Sequence, residues 1–322
     1  MTALSRRTFL TGPALVAGAS LLPRSTDARV PAAATQGPGV YRYNLGSYQL
    51  TAVYDGVWYV PIDDRFVRNA SGAEVDAALA EAFLPPRILP VSFTALVVNT
   101  GTRLVLIDTG TAGQIADTAG SLLDNFTTAG IDPKAIDTIL ISHFHPDHID
   151  GIKTKDGARI FPNAEIMVPA PEWDFWMNDA NLAKAEGAVK RYFLNARRIF
   201  ADIAGEVRRF APGSEVAPGI VSVAAFGHTP GHTAFAIHSG SQSMLAMSDT
   251  VRNPYLFARY PDWQPIFDMD GALAAETRRR MLDRVAADRM LVEAYHFPFP
   301  AHGHMAKRGS GYEFVPAEWK PL

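Results

Sequence analysis

Positions 143–148 carry three histidines and an aspartate in the pattern H-x-H-x-D-H, directly after the apolar, strand-like stretch 138–141. Burying four polar side chains together is unfavourable unless something pairs with all of them, and a divalent cation can do so. His143 and His145 leave the strand end on the same side and can bind one ion. The turn at Pro146 lets Asp147 and His148 reach a second ion. The motif therefore predicts the two halves of a dinuclear metal site.

Two later segments can supply ligands that the first motif lacks. The loop G-H-T-P-G-H at 227–232 contains His228 and His232, and one of the two is expected to complete the shell of the first ion. Asp249, in S-D-T after an apolar run, is a candidate bridging ligand, because two cations held close together need an anion between them.

The choice is less clear in the remaining candidate segments. Residues 296–304 follow the predicted strand 290–295 and offer three histidines, among which ligand chemistry alone does not choose: His296, His302 and His304. Asp108, in I-D-T-G at 107–110, is predicted to orient a ligand imidazole rather than to bind metal.

Composition limits the kind of site and the partners. The 322 residues are 48% hydrophobic, carry a formal charge of −3 and include no cysteine. A metal site must therefore use histidine and carboxylate, and no disulfide or thiolate nucleophile is available. The balanced charge gives no indication of nucleic acid or of an anionic membrane surface, so the expected partner is a small-molecule substrate.

The first 34 residues resemble an export signal. Arg6 and Arg7 form a twin-arginine pattern before a small-residue apolar stretch at 11–22, which is too short to span a membrane, and Ala32-Ala33-Ala34 suits signal cleavage. This pattern predicts handling by the twin-arginine export machinery, a periplasmic or secreted protein without a stable membrane anchor, and a single catalytic domain at 35–322. The sequence leaves the oligomeric state open, with a homodimer as one alternative.

The hydrophobic periodicity predicts an α/β protein. Strands are expected at 40–45, 48–54, 93–99, 103–108, 138–141, 165–168, 220–225, 234–237, 243–247 and 290–295, and helices at 73–83, 113–129, 179–203 and 271–287. In each half of the chain strands come first and a helix comes last. This order favours two sheets packed face to face with helices outside.

The order of these motifs resembles the metallo-β-lactamase superfamily, from about residue 36 to the C-terminus. Within it the chain is most similar to the methyl parathion hydrolase and lactonase branch, through Q-x-P-G-x-Y-R at 36–42, L-V-V-N-T-G at 96–101, L-V-L-I-D-T-G at 104–110 and G-Y-x-F-V-P at 311–316. The resemblance implies a four-layer αββα sandwich with two ions at one edge, between the sheets.

The resemblance also implies a ligand set. One ion would be bound by His143, His145 and His232, the other by Asp147, His148 and His296, with Asp249 bridging. His228 and His304 would not be ligands, and Asp150 departs from the usual glycine after the first motif. Zinc is the expected metal, with manganese, cobalt and iron as alternatives. Asp147 and Asp249 are the candidate catalytic residues, since either could carry a proton to the leaving group of a substrate attacked by a metal-bridging hydroxide.

The substrate is predicted less sharply than the metal site. Aromatic residues in the loops between and after the metal motifs indicate an apolar pocket, with Trp176, Phe193 and Tyr255 as candidate pocket residues. Such a pocket favours neutral lactones and esters, with aryl phosphotriesters as a further substrate class. The alternatives are a β-lactamase, a glyoxalase II-like thioesterase, and a catalytically silent metal-binding periplasmic protein.

Overall fold

The computed structural model describes residues 32–322, of which Pro38–Leu322 form one compact unit. Residues 32–37 contain no helix or strand. All but the last three positions of the proposed export signal lie outside the described residues, so export and a periplasmic location stay predictions. Within residues 32–322, no helix is long and apolar enough to cross a membrane.

The first half of the compact unit forms a seven-stranded mixed sheet whose order follows the chain. Its first four strands are antiparallel neighbours, and the last four run parallel. The strands are β1 (Val40–Leu45), β2 (Tyr48–Pro61), β3 (Ile88–Asn99), β4 (Leu104–Ile107), β5 (Thr138–Leu140), β6 (Glu165–Pro169) and β7 (Arg208–Phe210).

The second half forms another seven-stranded sheet, again in chain order. The fourth and fifth strands of this sheet, counted along the chain, are parallel. All other neighbouring pairs are antiparallel. The strands are β8 (Glu215–Ala217), β9 (Ile220–Ala224), β10 (Thr233–Ser239), β11 (Gln242–Ala246), β12 (Leu291–Glu293), β13 (His302–Arg308) and β14 (Gly311–Pro316).

Seven α-helices connect or flank these strands. They are α1 (Gly72–Glu81), α2 (Leu122–Ala129), α3 (Pro146–Ile149), α4 (Ala170–Trp176), α5 (Asp179–Lys184), α6 (Gly187–Phe200) and α7 (Gly271–Ala287). Shorter helical turns lie at Pro133–Ala135, Asp150–Ile152, Ser248–Thr250 and Pro254–Ala258. The α/β class and the two-sheet arrangement with flanking helices are as predicted.

The two sheets are joined by a layer of apolar side chains from both. Leu50, Val98 and Ile107 of the first sheet pack in one buried cluster with Phe235 and Met244 of the second. Because successive side chains of a strand point to opposite faces, one face of each sheet lies in this shared layer and the other face packs against helices.

Two predicted helices are shorter than expected. The predicted helix 113–129 is helical only from Leu122, because Asp55 of β2 holds the preceding segment as a loop by accepting hydrogen bonds from the backbone of Thr111 and Leu122. The predicted helix 179–203 is two helices, α5 and α6. Gly187, at the junction, has φ +53°, which lies outside the right-handed helical region.

Candidate metal centre

The metal-binding motifs meet at one edge of the sandwich because of the strand directions. β4, β5 and β6 run parallel, so the chain leaves all three at the same edge, at Asp108, at the 143–148 motif and at α4. In the second sheet β11 and β12 are also parallel, and they end just before Asp249 and His296. Each sheet therefore contributes part of the site.

The local fold of the first motif separates its histidines into two directions. His143 and His145 precede α3, and His145 has an extended conformation with φ −69° and ψ 151°. Pro146 then occupies the first helical position, where its fixed φ suits a helix start, and this turns Asp147 and His148 into the helix. All four polar side chains of the motif are buried.

The first group of ligand atoms contains His143, His145, His228 and Asp249. The Nδ1 atom of His145 lies 3.0 Å from Nε2 of His143 and 2.9 Å from Nε2 of His228. Nε2 of His228 is also 3.2 Å from Oδ2 of Asp249. Burial lowers the pKa of His143 and His145 well below the usual value, so both imidazoles are neutral and have lone pairs for a cation.

The second group contains Asp147, His148 and His296. Oδ2 of Asp147 lies 3.2 Å from Nε2 of His148 and 3.3 Å from Nε2 of His296. Asp249 lies between the two groups, with Oδ1 3.2 Å from His148 Nε2 and Oδ2 3.1 Å from His296 Nε2. Although burial opposes its ionisation, His296, His148 and Arg252 hold the pKa of Asp249 well below its usual range.

The residues of both groups fit divalent cations. His148 Nε2 and Asp249 Oδ1 are buried and have no hydrogen-bond partner among residues 32–322, and both are directed at the gap between the groups. Buried polar atoms are rarely left without a partner, and imidazole nitrogen with carboxylate oxygen is a donor set suited to zinc and related ions. These two clusters therefore support divalent metal binding.

Both histidines of the 227–232 loop lie beside the ligand groups. His232, predicted as a ligand, has Nδ1 2.9 Å from the carbonyl of Ala225, and its Nε2 faces the backbone N–H of Asp249 at 3.1 Å. Burial lowers the pKa of His232 to about 3, so the ring is neutral and Nε2 has a lone pair for a cation. His228, predicted not to be a ligand, lies within the first group by distance, but Asp249 and Asp268 raise its pKa against the effect of burial. The assignment of His232 to the first ion stays a prediction.

The three late histidines have different surroundings. Of the three at 296–304, only His296 reaches a ligand group. His304 Nδ1 lies 3.0 Å from the carbonyl of Met290, and His302 packs against the ring of Tyr43 at 4.1 Å between centroids.

Buried carboxylates behind the histidines fix their orientation. Asp108 lies 2.8 Å from Nδ1 of His148 and also accepts hydrogen bonds from the backbone and hydroxyl of Ser142. Asp268, which the sequence did not indicate, lies 2.8 Å from Nδ1 of His228 and pairs with Arg278 on its other oxygen, also at 2.8 Å. Each carboxylate directs the Nε2 atom of its histidine towards the metal groups.

Glu172 of α4 is a second feature that the sequence did not indicate. Its carboxylate is buried and accepts four hydrogen bonds. The donors are the backbone N–H of Phe144, the indole N–H of Trp176, the hydroxyl of Thr229 and the backbone N–H of Gly231. Glu172 therefore joins the two histidine-bearing loops to each other through one helix.

Asp150, which departs from the glycine that the family resemblance implies, also has a structural role. It is buried, accepts a hydrogen bond of 2.7 Å from the side chain of Asn195 on α6, and lies 3.5 Å from Arg198. Burial raises its pKa to about 6. The substitution links the end of the metal motif to α6.

A cavity of about 210 Å³ opens on the metal groups, and its walls differ from those predicted. Trp176 is fully buried, bonded to Glu172 and packed on Phe193, whereas Tyr255 lies on the surface. None of these three residues lines the cavity. Its walls are Trp58, Phe93, Ile115, Arg191, Tyr192, Arg252 and Phe267, and His145, Pro146 and Asp147 lie on the side of the metal groups.

This two-sheet fold with a histidine–aspartate site at the sheet edge defines a class of metal-dependent hydrolases. The model of the metallo-β-lactamase superfamily matches residues 89–296, and the chain belongs to that superfamily.

Solved structures of the same fold include hydrolases and a lactonase. The chain is similar to the hydrolase AbOPH of the β-lactamase superfamily, with 28% identity and a TM-score of 0.84 over 89% of this chain and 100% of that one. It is also similar to AidC, a dizinc quorum-quenching lactonase in complex with a product, N-hexanoyl-L-homoserine, with 26% identity and a TM-score of 0.82 over 88% of this chain and 99% of that one. A probable metal-dependent hydrolase from Staphylococcus aureus shares the fold, with 18% identity and a TM-score of 0.69 over 86% of this chain and 100% of that one. The protein is a metal-dependent hydrolase with lactonase-like relatives.

Proposed function

We propose that this hydrolase uses two divalent ions, with zinc as the expected metal, to open neutral lactones and to cleave related esters. The position of Asp249 carries the proposal. Its two carboxylate oxygens lie within 3.2 Å of histidines from both ligand groups, which is the arrangement required of a shared ligand. The similarity to a dizinc lactonase supports both the metal count and the substrate class.

Each residue of the centre has a distinct task in this proposal. His143, His145 and His232 would hold one ion, Asp147, His148 and His296 the other, with Asp249 shared. The bound ions would supply Lewis acidity, which makes water a nucleophile near neutral pH and polarises the scissile carbonyl. Asp147 borders the cavity with its side chain 13% exposed, so this carboxylate is placed to pass a proton to the departing oxygen.

The cavity walls support an uncharged substrate with an apolar body. Trp58, Phe93 and Phe267 offer aromatic surface on which an acyl chain or an aryl group can pack. The same metal pair and walls suit an aryl phosphotriester, which is the second candidate substrate. A glutathione thioester suits this cavity less well, because it would need a larger cluster of cationic side chains than the two arginines that line the cavity.

The decisive experiment is metal analysis combined with a substrate panel. The purified protein should contain about two equivalents of metal. The panel contains aliphatic and aryl lactones, aryl esters, methyl parathion, a chromogenic cephalosporin and S-lactoylglutathione, and lactones should give the highest kcat/KM. Turnover of the cephalosporin alone, or one equivalent of metal, would contradict the proposal, and no turnover at all would favour a silent metal-binding protein.

The cavity assignment has its own test in a pair of aromatic substitutions. Phe267→Ala should raise KM for a long-chain lactone roughly 10-fold, because an aromatic wall of the cavity is lost. Tyr255→Ala removes an aromatic residue of the same segment that lies outside the cavity, and KM should change less than about two-fold. Steady-state kinetics on both variants decide between the observed and the sequence-predicted pocket.

A further inference from the structure

A second cavity lies between α2 and the loops that follow β4 and α3. Its apolar wall is formed by Leu122 and Leu123 of α2 together with Ile160 and Phe161, and we call it the α2 cavity. Its volume is about 140 Å³. Among the described residues it shares no wall residue with the cavity beside the metal groups, so it is a separate site.

The two buried polar side chains in the wall of the α2 cavity already have partners in the protein. Oδ2 of Asp55 accepts hydrogen bonds from the backbone N–H and the hydroxyl of Thr111, both at 2.7 Å, and Oδ1 accepts one from the N–H of Leu122 at 2.9 Å. The hydroxyl of Thr109 donates to the carbonyl of His148 at 2.8 Å. An occupant therefore gains little from polar groups of its own at the buried part of the wall.

The size and lining of the α2 cavity limit the occupant to one uncharged aromatic ring. An apolar cavity of about 150 Å³ holds benzene, whereas drug-sized ligands need about 300 Å³ or more. Leu122 and Phe161 are buried and offer apolar surface to such a ring. An anion is disfavoured by the carboxylate of Asp55, and Lys155 offsets this weakly because it is exposed to solvent.

The opposite wall of the α2 cavity is attached to the metal motif. The backbone N–H of Thr109, like its hydroxyl, donates to the carbonyl of His148, at 3.0 Å. The N–H of Gly151 donates to the carbonyl of Gly110 at 3.0 Å, and a Cβ atom at Gly151 would lie 1.8 Å from the carbonyl oxygen of Thr109. Thr109 and Gly151 thus connect this wall to α3 and to the segment directly after it.

We propose that the α2 cavity is an effector site for an uncharged, single-ring aromatic molecule, whose binding strengthens metal binding through Thr109 and Gly151. A ring packed on Leu122 and Phe161 fits only while Thr109 and Gly151 hold α3 as described. The ring and the metal ions then favour the same arrangement of α3, and each raises the affinity for the other. This inference goes beyond the proposed hydrolysis and does not depend on which substrate is cleaved.

The test titrates the metal-loaded protein with meta-fluorobenzyl alcohol and follows binding by fluorine NMR. A Kd on the order of 1 mM is expected for a ligand of this size. Leu123→Trp and Ile160→Trp enlarge the wall from two different segments, and each should weaken binding at least about 10-fold. Leu194→Trp is the matched control, because Leu194 is an exposed leucine on α6 outside the cavity, and Kd should change less than about two-fold.

The effect on the metal ions is measured in the same samples by competition with a chromogenic chelator. Saturating meta-fluorobenzyl alcohol should raise the affinity for the more weakly bound ion about five-fold in the parent protein and in Leu194→Trp. In Leu123→Trp and Ile160→Trp the alcohol should leave the metal affinity unchanged. This measurement needs no turnover of any substrate.

Three results would overturn the inference. Loss of binding in Phe267→Ala, with binding kept in both variants of the α2 cavity, would place the ring beside the metal groups instead. Equal affinity for meta-fluorobenzoate would exclude the preference for an uncharged ring. Binding in the α2 cavity without any change in metal affinity would show that the site is not an effector site.

Discussion

His228 and His232 stand four positions apart in one loop, yet the partners of their ring nitrogens separate their roles. Asp268 lies against Nδ1 of His228, which leaves Nε2 directed at the metal groups. His232 has Nδ1 on the backbone carbonyl of Ala225, and its Nε2 lies 3.1 Å from the backbone nitrogen of Asp249. A histidine needs a neutral ring with a lone pair to bind a cation. Burial lowers the pKa of His232 to about 3, whereas Asp249 and Asp268 raise the pKa of His228 against the effect of burial, so His232 meets this requirement better.

Substitution of these two histidines should therefore give different metal contents. His232→Ala should reduce bound metal from about two equivalents to about one and lower kcat by at least about 100-fold, because one ion loses a ligand. His228→Ala should retain about two equivalents, with a smaller loss of activity from a less well-held Asp249. Metal analysis after gel filtration measures both, and metal loss in His228→Ala alone would assign the ligand role to His228 instead.

The orienting role of Asp268 can be separated from its contribution to stability. Asp268→Asn should weaken metal binding about 10- to 100-fold, because the carboxylate partner of His228 Nδ1 is lost. Asp270→Asn is the control, since Asp270 caps α7 through the N–H of Leu273 and does not contact His228. Competition with a chromogenic chelator gives the affinities; equal weakening in both variants would show that only the fold is affected.

Sequence reasoning reached most residues of the centre but not the choices that depend on distant contacts. The 143–148 motif, Asp249 and His296 are recognisable because their residue types cluster at strand ends. The orientation of His228 depends on Asp268, forty positions later, which no local pattern indicates. Trp176, which the sequence predicts in the pocket, is fully buried and donates to Glu172, a residue one helical turn before it that could indicate this hydrogen bond.

At the scale of the elements, α4 holds the site together through Glu172. All four partners of this carboxylate are donors, two on each oxygen. A glutamine would replace one oxygen by an NH₂ group, which would then face two donors and could accept from neither. Glu172→Gln should lower the free energy of unfolding by about 2–4 kcal/mol. Urea denaturation of the metal-loaded protein measures this, and Glu276→Gln on the exposed face of α7 should change it by less than about 0.5 kcal/mol.

The predicted elements were most accurate where sequence and tertiary structure agree. α7 was predicted at its observed bounds because its periodicity continues without interruption from an aspartate cap. The loop before α2 was predicted as helix because its residues permit a helix, but buried Asp55 competes for the same backbone groups. Short elements such as α3, α4 and β7 give too few residues for a period to be recognised.

At the scale of the whole molecule, the end of the sandwich that carries His302 should respond to acid. Burial, with His304 and Lys320 nearby, lowers the pKa of His302 to about 4. In the unfolded chain the pKa of this histidine is near 6.5, so between pH 6.5 and 4 the unfolded chain binds more protons than the folded protein. Stability from neutral His302 is therefore complete above about pH 6.5 and is lost as the pH falls towards 4.

His302→Phe keeps a ring against Tyr43 but does not titrate. Between pH 7 and 4.5 the parent should lose about 1–2 kcal/mol more unfolding free energy than the variant, after allowance for solvent screening. Urea denaturation at several pH values provides the comparison. Parallel curves for the two proteins would contradict this prediction.

The centre and the cavity walls come from different parts of the chain. The ligands stand at strand ends and on α3, which both sheets hold in place, whereas Trp58 lies on the long β2 strand, Tyr192 on α6 and Phe267 in the segment before α7. Trp58 and Phe267 can therefore change without replacing a ligand, whereas Tyr192 packs on His145 at 4.8 Å between ring centroids and Phe93 on His296 at 5.6 Å. Such a partial separation makes the protein evolvable: substitutions at Trp58 and Phe267 can alter substrate preference while selection for metal loading continues unchanged.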